Sequence, residues 1–424
     1  MPRFFHAWAA LIAQSAGLLP HLEMTMKKRF PCQADPLPQR GTSAFHSTAW
    51  RLCIPACAAF VHQGVGAHVK WFVPFDLQQR PRDPLAVFTS HEFVLMAACI
   101  LPLMYCIFWA DQRLSNSAFW RAMGATGLLD RWAALSGRMV RIAPDFLRIG
   151  LSVFFFALCL YGDVLLTPEL KTDLPHVRWM QGTMAVLLLA RRSAWLGALG
   201  IPVLYALAIA KYGIFHLLDY PIFLGIAAYL FLWSWFGVSM AALADGLLRG
   251  LTAITLLWAS IEKWGYPEWS FGLLAQRPEL AFGFGPEFYM VAAGFVEFST
   301  AYLLVTGRVA GRGASVVLLF FFVSAIIPFG MIDAVGHSGI ILVLVVLALG
   351  GPNRWAPVGG VAASHGAALR KVLVFACVLA TLGAAYSGLH RLAYDFPVIG
   401  DRICLVRGSL DAYSPGPADR HASA

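Results

Sequence analysis

Charge is scarce in this chain. Asp, Glu, Lys and Arg make up 13% of its 424 residues, about half the share of a soluble domain. That scarcity excludes an ordinary soluble globule, which needs those charges on its surface. Motifs for the commoner chemistries are missing as well. The sequence has no phosphate-cradling Gly-rich loop, no nucleophile elbow, no HExxH helix and no haem-binding CxxCH. Hydrolases and nucleotide-driven machines have no footing here. The eight cysteines include no CxxC; Cys99, Cys106, Cys159 and Cys377 fall inside apolar runs, and Cys53 and Cys57 in the N-terminal segment. A disulfide scaffold and a cysteine zinc site are both unsupported.

What is present is apolar and aromatic. Hydrophobic residues make 59% of the chain, with 14 Trp and 31 Phe, and the mean hydropathy is +0.66. The apolar runs are continuous and do not alternate, which predicts membrane-spanning helices rather than a barrel. The net charge of +9 comes largely from arginines in short loops between those runs. Such charges set orientation in a bilayer, so no nucleic-acid partner is expected.

Residues 1–67 read as a targeting segment. "MKKRF" from Met26 offers a basic start, and Val65 and Ala67 suit the −3 and −1 positions of a signal cleavage site. Cleavage there would leave His68 as the first residue of an extracytoplasmic segment, 68–92. An N-terminal His is either an ordinary first residue or a metal chelator through its amine and ring.

The remaining chain predicts about ten spans: Phe93–Ala110, Ile149–Leu166, Trp179–Ala190, Trp195–Tyr212, Pro221–Met240, Gly250–Lys263, Tyr289–Thr306, Ser315–Ile332, Gly339–Gly350 and Val372–Leu389. Basic residues cluster in alternate loops: Arg113 to Arg141, Arg191 and Arg192, Arg249, Arg308 and Arg312, then Arg354, Arg370 and Lys371. The positive-inside rule makes those loops cytoplasmic, which places the mature N-terminus outside a bacterial inner membrane.

The chain also resembles itself. "RIGLSVFFFALCLYGDVLLTPEL" (148–170) aligns with "LRGLTAITLLWASIEKWGYPEW" (248–269), so that Gly150 faces Gly250, Asp163 faces Glu262 and Pro168 faces Pro267. "YGIFHLLDYP" (212–221) aligns with "FGMIDAVGHSG" (329–339), so that His216 faces Asp333 and Tyr220 faces His337. The predicted fold is an all-α polytopic bundle with two parallel four-helix repeats, 148–240 and 241–350. A first helix with its basic loop (93–147) precedes them. A loop, last helix and extracytoplasmic tail (351–424) follow.

The second copy contains "ASIEKWGYPEW", "MVAAGFVEFSTAYLLVTGR" and "FGMIDAVGHSGI". In its acid-Lys-aromatic-x-x-Pro helix end, its GxxE helix with Glu297 and its D-x-x-x-H, it resembles the four-helix DoxX/DoxD family of bacterial membrane proteins. The resemblance covers about residues 148–350 when both copies count. It departs from a single-unit member in its duplication, signal, extra first helix and tail. Named members include the membrane subunit of a thiosulfate:quinone oxidoreductase. The resemblance therefore implies a quinone cofactor, a redox partner subunit and sulfur-compound oxidation.

Ionisable residues in or beside spans are the candidate site, because they cost several kcal/mol unless paired or wetted. Glu297 lies mid-span and must be protonated, paired or facing a cavity. Glu262 and its counterpart Asp163 end two helices; with Glu297 they are the candidates to move protons or meet quinone oxygens. His216, Asp219, Asp333, His337 and Lys263 are candidate ligand-binding residues. The bland alternatives are turn capping for the His/Asp pairs and interfacial snorkelling for Lys263. Two further functions compete with the quinone-linked one: copper handling through His68, His91, His216 and His337, and small-solute transport at the repeat interface.

Overall fold

The computed structural model describes residues 76, 79–116, 126–350, 353 and 364–395. Apart from an isolated bridge between Val164 and Lys171 and two short 3-10 turns, the regular structure among these residues is α-helical. The helices are α1 (Pro84–Thr89), α2 (His91–Leu114), α3 (Thr126–Tyr161), α4 (Pro175–Leu189), α5 (Ala194–Tyr212), α6 (Ile214–Leu217) and α7 (Pro221–Phe236). They continue with α8 (Ala241–Gly265), α9 (Glu268–Gln276), α10 (Pro286–Thr306), α11 (Ala310–Phe329), α12 (Met331–Leu349) and α13 (His365–Tyr394).

Eight helical stretches among the described residues are long and apolar enough to cross a membrane. The chain is a multi-pass membrane protein. One stretch, Pro221–Gly265, is two helices: a 3-10 turn at Gly237–Met240 separates α7 from α8. The two fold back on each other, with the Ile222 amide donating to Thr255 Oγ1 at 2.9 Å. α4, at 15 residues, is roughly 22 Å long and falls short of a full crossing.

Eight of the helices close into a ring, each packing on the next: α3, α4, α5, α7, α8, α10, α11, α12 and back to α3. The helices α8, α10, α11 and α12 thus repeat the packing order of α3, α4, α5 and α7. Each set ends on a helix that packs against the first helix of the other set. Outside the ring, α2 lies on α10 and α13, and α13 also lies on α8. Leu95, Leu103, Leu369 and Leu373 on α2 and α13 are exposed, as lipid-facing residues are.

Several predicted bounds move, each for a local reason. The span expected at Ile149–Leu166 ends at Tyr161, because Gly162 and Asp163 both take positive φ and turn the chain. Leu165, Leu166 and Leu170 are buried in the following loop and plug the bundle rather than cross the bilayer. The basic stretch after α2 is partly helical, since α3 begins at Thr126 and carries Arg131, Arg138 and Arg141. The span expected from Gly339 starts at Met331, since Gly330, at φ 71°, makes the whole bend.

The arginine-rich end is tied by side chains that satisfy free helix termini. Asp111, buried at the end of α2, accepts the amides of Arg308, Val309 and Ala310 at 3.1, 2.8 and 2.8 Å. Arg148 donates to the last carbonyls of α4, those of Leu188 and Leu189. Asn353 Nδ2 donates likewise to those of Leu304 and Val305, at the end of α10. Unsatisfied groups at helix ends are costly in an apolar medium, and these three residues remove that cost.

Candidate functional site

At the opposite end, Gly213 (φ 85°) breaks the chain after α5 and starts the single turn α6. Tyr205 Oη donates to the Leu217 carbonyl at 2.5 Å and holds that turn down. The loop after α3 is pinned in turn by Tyr212 Oη, which donates to the Lys171 carbonyl at 2.8 Å. These two anchors bring together residues far apart in sequence. His216 Nε2 lies 3.0 Å from Glu169 Oε1, and the two side chains are 1% and 2% exposed. Tyr220 hydrogen-bonds with Glu169 and Thr167. Its burial, and then the nearby Glu169 and Asp219 charges, push its phenol well above the usual tyrosine range.

Beside this pair opens a narrow cleft, lined by His216, Asp219, Glu262, Tyr266, Trp269 and Tyr386, with Phe215 and Trp258 behind. Phe215, Trp258 and Tyr386 form an aromatic wall with ring centroids 4.6–5.4 Å apart. His390 from α13 packs on Phe215 and Tyr266. The cleft has room for about one water molecule.

The candidates named from the sequence fall into separate groups. His216, Asp219 and Glu262 meet at the cleft. Lys263, next to Glu262 but about 100° round the helix, turns away and pairs with Glu297 on α10 at 2.5 Å. Of the three fates open to Glu297, the structure shows pairing. Asp333 and His337 sit in the first two turns of α12, not in an inter-span turn, and face each other at 3.0 Å (Oδ2 to Nδ1) with both side chains buried. Phe322 packs on the His337 ring, with centroids 4.8 Å apart. None of these four lines the cleft.

Asp163 requires a correction. It is exposed, in a left-handed turn, and its carbonyl accepts the Thr172 amide. The acid that this loop buries is Glu169. The signal for it lay in the internal alignment: Pro168 faces Pro267, so Glu169 faces Glu268, the acid after each proline. Tyr386 and His390 gave no such signal, because an aromatic and a histidine near the end of an apolar helix read as interfacial residues.

Among the described residues, metal handling finds no assembled site. His68 lies outside the described residues, and His91 is exposed at the start of α2. Among the described residues, no group of three His, Cys, Asp or Glu side chains is placed to hold a metal ion. Quinone, which the family resemblance implies, does not fit the cleft either: a space for one water cannot take a six-membered ring. Compared with known proteins, the chain matches no family model, no curated protein and no solved structure.

Proposed function

We propose that this chain is the membrane component of an outward-facing redox system of a bacterial inner membrane, and that its own task is to take up and release protons at the cleft. The observation that carries this is the buried His216–Glu169 pair beside Asp219 and Glu262. An imidazole and a carboxylate 3.0 Å apart can hold one proton between them. A water in the cleft can pass that proton to Asp219 or Glu262, and Glu262, at the helix end, leads toward solvent. The redox setting is supported by the DoxX/DoxD resemblance. Electron transfer then belongs to a partner subunit or to quinone held elsewhere, with sulfur-compound oxidation as the source of electrons.

The experiment is a pH step followed by infrared difference spectroscopy on the purified protein in nanodiscs. A buried carboxyl band should respond, disappear in Glu169→Gln and shift in His216→Gln. An identical set of bands in wild type and both variants sinks the proton-handling reading. Thiosulfate- or sulfite-driven quinone reduction by the protein with its co-purified partner tests the redox setting separately. If no donor reduces quinone and nothing co-purifies, that setting is abandoned.

A transport reading draws support from the ring closed by two four-helix sets. In proteoliposomes it requires solute flux that is lost in Glu297→Gln; flux unaffected by that change removes it.

A further inference from the structure

We propose that residues 79–83, ahead of the first membrane helix, form a latch over the cleft: Gln79 closes it and Arg82 locks it. Release of the latch then controls how water and small polar ligands reach His216, Asp219 and Glu262. The proposal rests on the proton-handling reading for its purpose, but not for its geometry.

Gln79 is held by two residues of the cleft's own rim. Tyr266 Oη donates to its carbonyl at 2.9 Å, and Trp269 Nε1 donates to its Oε1 at 2.9 Å. Those two rings are stacked, 4.1 Å apart and within 4° of parallel, so the donors form one rigid edge. Both line the cleft. Three residues on, the Arg82 amide donates to the Gly265 carbonyl at 2.9 Å. The Arg82 guanidinium reaches Glu268 through Nε at 2.6 Å and Glu287 through two nitrogens at 3.0 and 2.7 Å. Between them, Arg80 pairs with Asp395, just past α13, at 3.1 Å. The strap thereby ties together α8, α9, α10 and α13.

One glycine makes its seat, and a second seats the helix that follows it. A Cβ on Gly265 would stand 3.3 Å from Pro81 Cβ, tighter than an ordinary contact. A Cβ on Gly383 would collide with the Phe88 ring of α1. Gly265 and Gly383 lie on α8 and α13, the helices that carry Glu262 and Tyr386. The strap is therefore fitted to its seat, yet its lock is openable. Arg82, Glu268 and Glu287 are 37–43% exposed, and pairs that open to solvent hold weakly and yield to salt. Opening would also free the Tyr266 and Trp269 donors for a carbonyl-bearing ligand.

The test is hydrogen–deuterium exchange on the full chain in nanodiscs, for wild type, Arg82→Gln and Gln79→Ala. Both variants, and wild type at high salt, should exchange about fivefold faster at residues 79–83 and 265–270 while α4 stays unchanged. Equal rates at those residues in wild type and Gln79→Ala, the milder change, overturn the latch. If Arg82→Gln loosens the whole chain, Gln79→Ala and the salt series decide alone. Infrared bands then separate the two ideas. A latch that opens without any Glu169 band leaves the latch standing and removes the proton reading. A Glu169 band with no change at residues 79–83 does the reverse.

Discussion

Lys263 Nζ stands 2.5 Å from Glu297 Oε2 and joins the last turn of α8 to the middle of α10. One residue earlier, Glu262 points into the cleft. The adjacent acid and base of "EKW" therefore serve different partners, as the 100° step of a helix requires. Both side chains of the pair are mostly buried, at 21% and 13% exposed. In that setting the cost of leaving one charge alone exceeds the net worth of the pair.

Removing one partner should therefore hurt more than removing both. Lys263→Met or Glu297→Gln alone is expected to cost about 2 kcal/mol, and the double variant about 1 kcal/mol, less than either single change. Thermal unfolding of the four proteins in one detergent measures this. Strictly additive losses would show that the two residues do not act as a pair.

Glu169 and Asp163 should separate cleanly, although both are acids of one loop. Glu169→Gln leaves buried His216 without its carboxylate and should cost about 2 kcal/mol. Asp163→Asn should stay within about 0.5 kcal/mol, since the side chain is exposed and Asn tolerates its left-handed backbone. Asp163→Val should cost about 1 kcal/mol or more, because a β-branched residue resists φ 54°. Denaturant titration ranks the three, and equal effects of Asp163→Asn and Asp163→Val would remove the conformational role.

The contrast between these acids shows what the sequence could and could not reveal. Apolar runs are long and unmixed, so the membrane helices and their alternate arginine loops are legible. Leu165 and Leu166 extended one such run past its true end, because hydropathy cannot tell a buried plug from a membrane core. Asp163 drew attention by closing the run, while Glu169, beyond the loop proline, drew none. Only folding shows that Tyr212 pins the loop inward. The pairing of Lys263 with Glu297 was hidden for another reason: 34 residues separate them, and helix periodicity sets only the face, not the partner. Tyr386 reaches the cleft, and His390 packs on its rings, through the packing of α13, which no local pattern encodes.

Asp111 offers a test at the other end of the bundle. Its carboxylate accepts three successive amides at the start of α11, serving as an N-cap supplied by a different helix. Asp111→Ala should cost about 2 kcal/mol, at the upper end for a lost cap, because several buried donors go unpaired together. Asp111→Asn keeps an acceptor oxygen and should recover about half of that. Unfolding midpoints measure both; an Ala variant as stable as wild type would mean that water replaces the cap.

The glycine of "GFVE" yields the most pointed expectation. Trp264 lies directly over Gly294, where a Cβ would overlap its indole nitrogen. That nitrogen donates to the Val291 carbonyl at 3.1 Å, so the ring is fixed against α10 from both sides. One turn deeper, Lys263 meets Glu297. The close approach at Gly294 thus sets the height at which α8 meets α10, and the ion pair depends on that height. By helix propensity alone, Gly294→Ala should gain about 1 kcal/mol. Overpacking in a seated contact costs about 1–3 kcal/mol, and the displaced ring would also strain the Lys263–Glu297 contact. The net expectation is a loss of about 1–2 kcal/mol, with weakened coupling when the Lys263 and Glu297 variants are repeated in this background. A stabilised Gly294→Ala protein with full coupling would show that the ring moves freely and that the glycine sets nothing.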